Sequence, residues 1–142
     1  MSIHRVMYPH HITISVQNLG ETIEWWKRNF GFSLIIQFRK DSMKANVAFI
    51  GLGDFFIEIF EFDKHVIKQR KKIKPSNFLR ETGIKYLAFG VDNVDEAYDE
   101  LIGKGVVFVQ EPILGSSNHK YAIFLDNNGF TFELFEEMEK VG

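Results

Sequence analysis

The stretch HITISVQNL at residues 11–19 aligns with YLAFGVDNV at residues 86–94. With the same shift of 75 residues, FFIEIFE at 55–61 aligns with FTFELFE at 130–136. Because two separate blocks keep one offset, we interpret the chain as two copies of one module.

The predicted modules span residues 1–64 and 83–142, and a connector over 65–82 joins them. Because the connector is polar, we expect it to be a surface segment, and it is long enough to contain a short helix. Its cations are Lys68, Arg70, Lys71, Lys72 and Lys74. These cations either steer an anionic substrate or simply lie in solvent.

The first module has the pattern of a strand, a helix and three more strands. Apolar and polar residues alternate over 10–17, which is typical of a half-buried strand. Asn18 and Glu21 then form a capping-box pattern, and Gly31 ends the predicted helix. The following strands are predicted over 32–39, 43–50 and 54–62.

The second module repeats this order. A strand is predicted over 84–91, and Asn93 begins a helix. Three further strands are predicted near 106–110, 119–125 and 130–137. The predicted fold class is therefore α+β. Two tandem βαβββ modules form a curved, mostly antiparallel sheet around a cleft, and the helices lie on the outer face.

The repeat pairs four residues on the face of the sheet that the helices do not cover. Because strand side chains alternate, His11 and Tyr86 lie opposite the apolar face of their strands. Glu58 and Glu133 lie mid-strand among phenylalanines, and 47 residues separate each from its partner, His11 or Tyr86. If a pseudo-two-fold axis relates the modules, the four positions converge.

A carboxylate among phenyl rings loses several kcal/mol of hydration unless a cation or strong donors replace the water. Two such carboxylates and an imidazole therefore predict a site for a divalent ion such as Ni, Zn, Mn, Fe or Co. Taken singly, His11 also fits a hydrogen-bonded structural histidine, and Glu58 and Glu133 also fit a solvated face. The predicted substrate cleft is lined by Phe56, Phe60, Tyr86 and Phe135.

The composition narrows the classes of function. The 142 residues carry 17 basic and 19 acidic side chains, for a net charge of −2, which argues against a nucleic acid or an anionic membrane as partner. The absence of cysteine excludes disulfides, thiolate metal sites and thiol nucleophiles. No stretch has the length of a signal peptide or a membrane span, so the expected location is the cytoplasm.

Four segments carry a family resemblance: HITISVQNL at 11–19, WWKRNFGF at 25–32, GIKYLAFGVDNV at 83–94 and DNNGFTFELFE at 126–136. Together they resemble the vicinal oxygen chelate superfamily, which includes glyoxalase I, bleomycin-resistance proteins, extradiol dioxygenases and methylmalonyl-CoA epimerase. The resemblance covers nearly the whole chain. It implies a small-molecule substrate or ligand and a homodimer.

In the glyoxalase-like branch, the resemblance places metal ligands at His11, Glu58, Tyr86 and Glu133. Position 86 is usually histidine in that branch, so tyrosine is a departure. The departure argues against the iron dioxygenases, which need two histidines and one carboxylate. Tyr86 then either donates a hydrogen bond to a substrate oxygen or marks a member without metal. His119 is a substitute ligand or a residue at a loop edge.

Two functions follow from this resemblance. The first is a metal-dependent lyase or isomerase in which Glu133 or Glu58 abstracts a proton and the ion stabilises an enediolate. The second is a metal-free protein that only binds a small molecule, as bleomycin-resistance proteins do. The fifteen phenylalanines slightly favour the binding protein. A third possibility, that the chain only packs or pairs, leaves Glu58 and Glu133 unexplained.

Overall fold

The computed structural model describes residues 6–68 and 74–138 of the chain. It divides into two compact units, Met1–Ile67 and Lys68–Gly142, which we call unit 1 and unit 2. Part of the basic connector, including Arg70, Lys71 and Lys72, lies outside the described residues.

Unit 1 is one four-stranded sheet and one helix. The sheet order is β1-β4-β3-β2, where β1 is parallel to β4 and the other neighbours are antiparallel. The helix α1 packs on β2, β3 and β4. The elements are β1 (His11–Ser15), α1 (Leu19–Phe30), β2 (Ser33–Lys40), β3 (Ala45–Leu52) and β4 (Phe55–Phe62).

Unit 2 repeats this architecture after one extra helix. The sheet order is β5-β8-β7-β6, with β5 parallel to β8. Two tandem βαβββ modules of the α+β class are thereby confirmed. The elements are α2 (Pro75–Arg80), β5 (Leu87–Gly90), α3 (Val94–Gly103), β6 (Val107–Leu114), β7 (His119–Leu125) and β8 (Thr131–Glu137).

The repeat extends to the strand register. Thr13 pairs with Glu58 in unit 1, and Ala88 pairs with Glu133 in unit 2, so the pairs keep the shift of 75 residues. The middle strands differ, because β3 begins at Ala45 and β7 at His119, which is a shift of 74. Compared with unit 1, unit 2 therefore has one residue fewer before β6, its second strand, and one residue more between β7 and β8.

Both long helices begin as the sequence predicts. The Asn18 side chain accepts a hydrogen bond from the Glu21 amide at 3.0 Å, and Asn93 accepts one from the Glu96 amide at 3.0 Å. The helix α1 ends at Gly31, whose φ of 73° is a left-handed conformation that glycine adopts without strain. These caps determine where both helices begin and where α1 ends.

A second hydrogen bond at the start of each long helix was not predicted. The Glu61 carboxylate at the end of β4 accepts a hydrogen bond from the Leu19 amide at 2.7 Å. The Glu136 carboxylate in β8 accepts one from the Val94 amide, also at 2.7 Å. Because free amides at a helix start attract negative charge, each carboxylate fastens a helix to the strand beside it.

Two strands differ most from the prediction. The strand predicted over 84–91 is shorter and begins at Leu87, so Tyr86 comes directly before it. The strand predicted near 106–110 continues to Leu114. It continues past Pro112 because β6 is an edge strand with two register shifts, and both features tolerate a residue without a backbone donor.

Among the described residues, no helix is long and apolar enough to cross a membrane.

Candidate functional site

In unit 1, the predicted ligand residues lie on the sheet face that α1 does not cover. Ile57 and Ile59 of β4 are buried on the face toward the helix. Glu58 therefore lies on the opposite face, and its partner in the register is Thr13 of β1. His11 lies two residues before Thr13, so it shares this face with Glu58.

His11 and Glu58 are neighbours there. The His11 Nε2 atom lies 3.8 Å from Glu58 Oε1, and their side chains are 34% and 21% exposed. The Thr13 hydroxyl donates a hydrogen bond to the same carboxylate oxygen at 2.8 Å. The Nδ1 atoms of His10 and His11 lie 2.8 Å apart, which fixes the other side of the imidazole. The pair therefore presents one nitrogen and one carboxylate together at a partly open position.

In unit 2, Tyr86 and Glu133 form the equivalent pair. The Tyr86 hydroxyl donates a hydrogen bond to the Glu133 carboxylate. Burial, followed by the negative charge of Glu133, raises the pKa of Tyr86 above its ordinary value. Tyr86 therefore keeps its proton and acts as a hydrogen-bond donor.

Glu133 is the carboxyl group in unit 2 whose environment most suits proton transfer. Burial raises its pKa above the ordinary value for glutamate. The hydrogen bond from Tyr86 and the charge of His119 lower the pKa in part, but burial outweighs both. A carboxylate with a raised pKa is a stronger base, so Glu133 is suited to abstract a proton.

A cavity of about 350 Å³ opens over Glu133 in unit 2. Its volume is in the range of small-molecule sites. Strands β6, β7 and β8 form part of the wall, and α2, Tyr86 and the turn after β6 form the rest. The lining residues are Pro75, Ser76, Leu79, Tyr86, Gln110, Gly115, Ser116, His119, Tyr121, Ile123 and Glu133.

His119 lies at the first position of β7, on the wall of this cavity. It has no counterpart in unit 1, because the equivalent residue is the buried Ala45. The repeat therefore could not identify it. The available signal was its parity with Tyr121 and Ile123, which places it on the same face as Glu133.

The four residues predicted to line a substrate cleft have different surroundings. Tyr86 lines the cavity of unit 2, and Phe135, on the same face of the sheet, stacks on His119 at 4.7 Å between ring centroids. In unit 1, Phe56 stacks on His10 at 4.9 Å, and Phe60 stacks on Phe62 at 5.6 Å.

The described residues fit a metal ion only in part. Within the described part of each unit, no three histidine, aspartate or glutamate side chains lie close enough to hold one. In unit 1, the nitrogen of His11 and the oxygen of Glu58 fit two positions of a divalent ion, and in unit 2 the Glu133 carboxylate is an oxygen donor of the kind that divalent ions bind. Tyr86 is the poorest ligand of the four predicted residues, because burial and the charge of Glu133 raise the pKa of its phenol and favour the protonated form.

Comparison with known proteins agrees with this architecture. The chain is 26% identical over 141 residues to "Probable lactoylglutathione lyase" of Vibrio cholerae, covering 98% of this chain and 95% of that protein. The crystal structure of SMU.1112c matches with a TM-score of 0.75 and 25% identity, covering 92% of this chain and 99% of the other.

A fosfomycin resistance protein from Listeria monocytogenes, solved with Mn(II) and sulfate, has the same fold. It matches with a TM-score of 0.61 and 20% identity over 92% of this chain and 91% of the other. The family model for the Glyoxalase/Bleomycin resistance protein/Dioxygenase superfamily matches residues 8–134. The chain therefore belongs to this superfamily.

Proposed function

We propose that this protein is a glyoxalase-like, metal-dependent lyase or isomerase that abstracts a proton next to a carbonyl of a small oxygenated substrate. Glu133 is the base in this proposal. The observation that carries it is a carboxyl group with a raised pKa, hydrogen-bonded to Tyr86, in a cavity of about 350 Å³.

The surroundings of Glu133 support this role in two ways. Partial burial disfavours the charged carboxylate, so it accepts a proton more readily than a solvated one. The Tyr86 hydroxyl is a donor that can turn from Glu133 to a substrate oxygen when Glu133 takes the proton. A donor directed at an oxygen that gains negative charge stabilises the enediolate.

The proposed metal ligands are His11, Glu58 and Glu133, the positions that the family resemblance assigns. When bound, a divalent ion such as Ni, Zn, Mn, Fe or Co would polarise the substrate carbonyl. His11 and Glu58 suit such an ion because their nitrogen and oxygen atoms lie 3.8 Å apart. Glu58 is also the second candidate base. The Listeria relative of the same fold that was solved with Mn(II) supports a divalent ion.

A metal-free small-molecule binding protein is the second candidate function. The observation that favours it is the aromatic side of the cavity wall, where Tyr86, His119 and Tyr121 supply rings for contact with a planar ligand. In either function the partner is a small molecule, and we expect the chain to form a homodimer. Light scattering on the purified protein measures that state.

The test combines turnover with metal content. We expect the protein purified without chelators to convert the hemithioacetal of methylglyoxal and glutathione, with about one ion per chain by plasma mass spectrometry. Glu133→Gln should abolish turnover and release metal, whereas Glu100→Gln, on the exposed surface of α3, should change neither. Near-normal turnover by Glu133→Gln would refute the mechanism. Binding of the hemithioacetal without turnover or metal would favour the second function.

A further inference from the structure

His119 is a titratable side chain of the unit 2 cavity to which the proposed mechanism gives no role. It is half-buried and lies on the same face of the sheet as Glu133. The turn between β6 and β7, residues 115–118, brings Gly115 and Ser117 against its imidazole.

Several contacts hold this imidazole in one orientation. The Ser117 hydroxyl lies 2.8 Å from Nδ1, and the Phe135 ring stacks against the imidazole at an interplanar angle of 21°. Gly115 lies so close to Nε2 that a Cβ atom at position 115 would collide with it. The Gly115 amide also donates a hydrogen bond to the His119 carbonyl at 2.7 Å, which closes the turn. An imidazole held on both sides has little freedom to turn away from the cavity.

His119 and Glu133 approach the cavity from opposite ends. His119 pairs with Glu137 in the register, four residues beyond Glu133 on β8. At ~3.3 Å per residue, the two backbone positions are about 13 Å apart along the strand. Their side chains line one cavity, and the charge of His119 acts on Glu133, so a small substrate can lie between them.

We propose that His119 is a second catalytic residue of this site, which moves the oxygen-bound proton of the substrate while Glu133 moves the carbon-bound proton. This proposal rests on the proposed function. It defines the substrate class as compounds with a carbonyl beside a carbon that bears both hydrogen and hydroxyl.

The proton transfers balance over one turnover without another reactant. Glu133 takes the proton from the hydroxyl-bearing carbon, and the electron pair of that bond forms the double bond of the enediol. The imidazole gives a proton to the former carbonyl oxygen and takes one from the hydroxyl oxygen, which becomes the new carbonyl. Glu133 then returns its proton to the neighbouring carbon, so both residues end in their starting states.

Ser117 is a positioning residue in this scheme. Its hydroxyl bonds to Nδ1, which leaves Nε2, on the side of the ring that faces Gly115, as the nitrogen that exchanges the proton with substrate. Removing the hydroxyl should therefore affect the proton transfer more than the binding of substrate.

The test separates the two proton movements. The hemithioacetal of methylglyoxal and glutathione is incubated with the metal-loaded protein in D₂O, and both product and deuterium in the recovered substrate are measured by NMR. For His119→Gln we expect product formation to fall about 100-fold, the scale of general acid–base catalysis. Deuterium should still enter the substrate, because Glu133 remains. The matched control His65→Gln changes an exposed histidine of unit 1 and should leave both rates unchanged.

The outcomes distinguish this proposal from the proposed function. If Glu133→Gln keeps both rates, the proposed function fails whatever His119 does. If Glu133→Gln loses both and His119→Gln forms product within threefold of the unchanged chain, only the role of His119 is overturned. If the unchanged chain converts nothing, the Cε1–H resonance of His119 must still shift when the hemithioacetal is added; no shift overturns the proposal.

Ser117 is tested through the kinetic constants. We expect Ser117→Ala to lower kcat for the hemithioacetal about tenfold with little change in KM, and Ser117→Thr to restore kcat because it restores the hydroxyl. Combined with His119→Gln, Ser117→Ala should cause no further loss, since it acts through the imidazole. A change confined to KM, or an additive loss, would contradict the positioning role.

Discussion

The Tyr86 hydroxyl donates a hydrogen bond to the Glu133 carboxylate, and this bond lowers the pKa of Glu133 against the larger effect of burial. The bond is the feature of unit 2 that corresponds to the His11 and Glu58 pair of unit 1, where an imidazole takes the place of the phenol. A tyrosine in place of a histidine therefore exchanges an imidazole, which can ligate a metal, for a hydrogen-bond donor.

The first prediction concerns this bond. Tyr86→Phe removes an interaction that stabilises the carboxylate, so the pKa of Glu133 should rise further. The acid limb of the pH dependence of kcat/KM should move to higher pH, and carboxyl ¹³C NMR of Glu133 measures the same shift directly. Tyr98→Phe is the matched control, because Tyr98 lies on α3 against Phe108. A limb that stays in place or moves to lower pH would contradict the assigned bond.

The second prediction concerns stability in acid. The hydrogen bonds from the Leu19 amide and Asn46 lower the pKa of Glu61 below 4.5. Because the pKa is lower in the folded state, Glu61 stabilises the fold above pH ~4.5, and this contribution is lost as the pH falls through the folded value.

We therefore expect Glu61→Gln to lower Tm at pH 7 and the difference from the unchanged chain to shrink below pH ~4.5. Glu24→Gln, on the exposed side of α1, serves as the control. A difference that is constant with pH would show that the carboxylate charge does not hold the start of α1.

The third prediction concerns Asn29, which is 6% exposed at the end of α1. Among the described residues, its amide nitrogen and oxygen have no hydrogen-bond partner. A buried polar group without a partner destabilises the fold, so Asn29→Leu should raise the free energy of unfolding by about 1 kcal/mol in urea titrations.

Thr22→Val is the opposite case, because the Thr22 hydroxyl donates a hydrogen bond to the Asn18 carbonyl at 2.9 Å. Its loss should lower the free energy of unfolding by about 1 kcal/mol. If Asn29→Leu also destabilises the chain, the Asn29 amide must have a partner such as an internal water.

The fourth prediction uses Gly115 to move His119 without removing it. Gly115→Ala places a methyl group against the imidazole, which Phe135 prevents from retreating. We expect the Cε1–H resonance of His119 to shift and product formation to fall, although the imidazole is still present. Gly103→Ala, where an added Cβ atom meets open space, is the control. An unchanged resonance would show that the turn does not fix the ring.

The sequence predicted the fold because the repeat is visible in the order of the residues and the helix caps are local signals. Asn18, Gly31 and Asn93 mark helix ends through contacts within a few residues, and those contacts form as expected. Glu61 and Glu136 were missed because their partners, Leu19 and Val94, lie 42 residues away in the chain. A pattern of charges along the sequence carries no signal for such a contact.

The sequence predicted only those residues of the candidate site that belong to the repeat. His11, Glu58, Tyr86 and Glu133 share an offset, so parity and the repeat predicted their common faces. His119 breaks the repeat, and its role depends on a turn that brings Ser117 and Gly115 against its ring. These contacts depend on how the turn packs against the ring, and the alternation of side chains along one strand does not predict that packing.

The most direct test of the central claim measures proton abstraction itself. The metal-loaded chain and its Glu133→Gln variant are incubated in D₂O with the hemithioacetal of methylglyoxal and glutathione, and deuterium is followed by NMR at the carbon that loses its proton. We predict deuterium incorporation by the unchanged chain and none above the uncatalysed rate by Glu133→Gln. Incorporation by Glu133→Gln at the rate of the unchanged chain would contradict the assignment of Glu133 as the base.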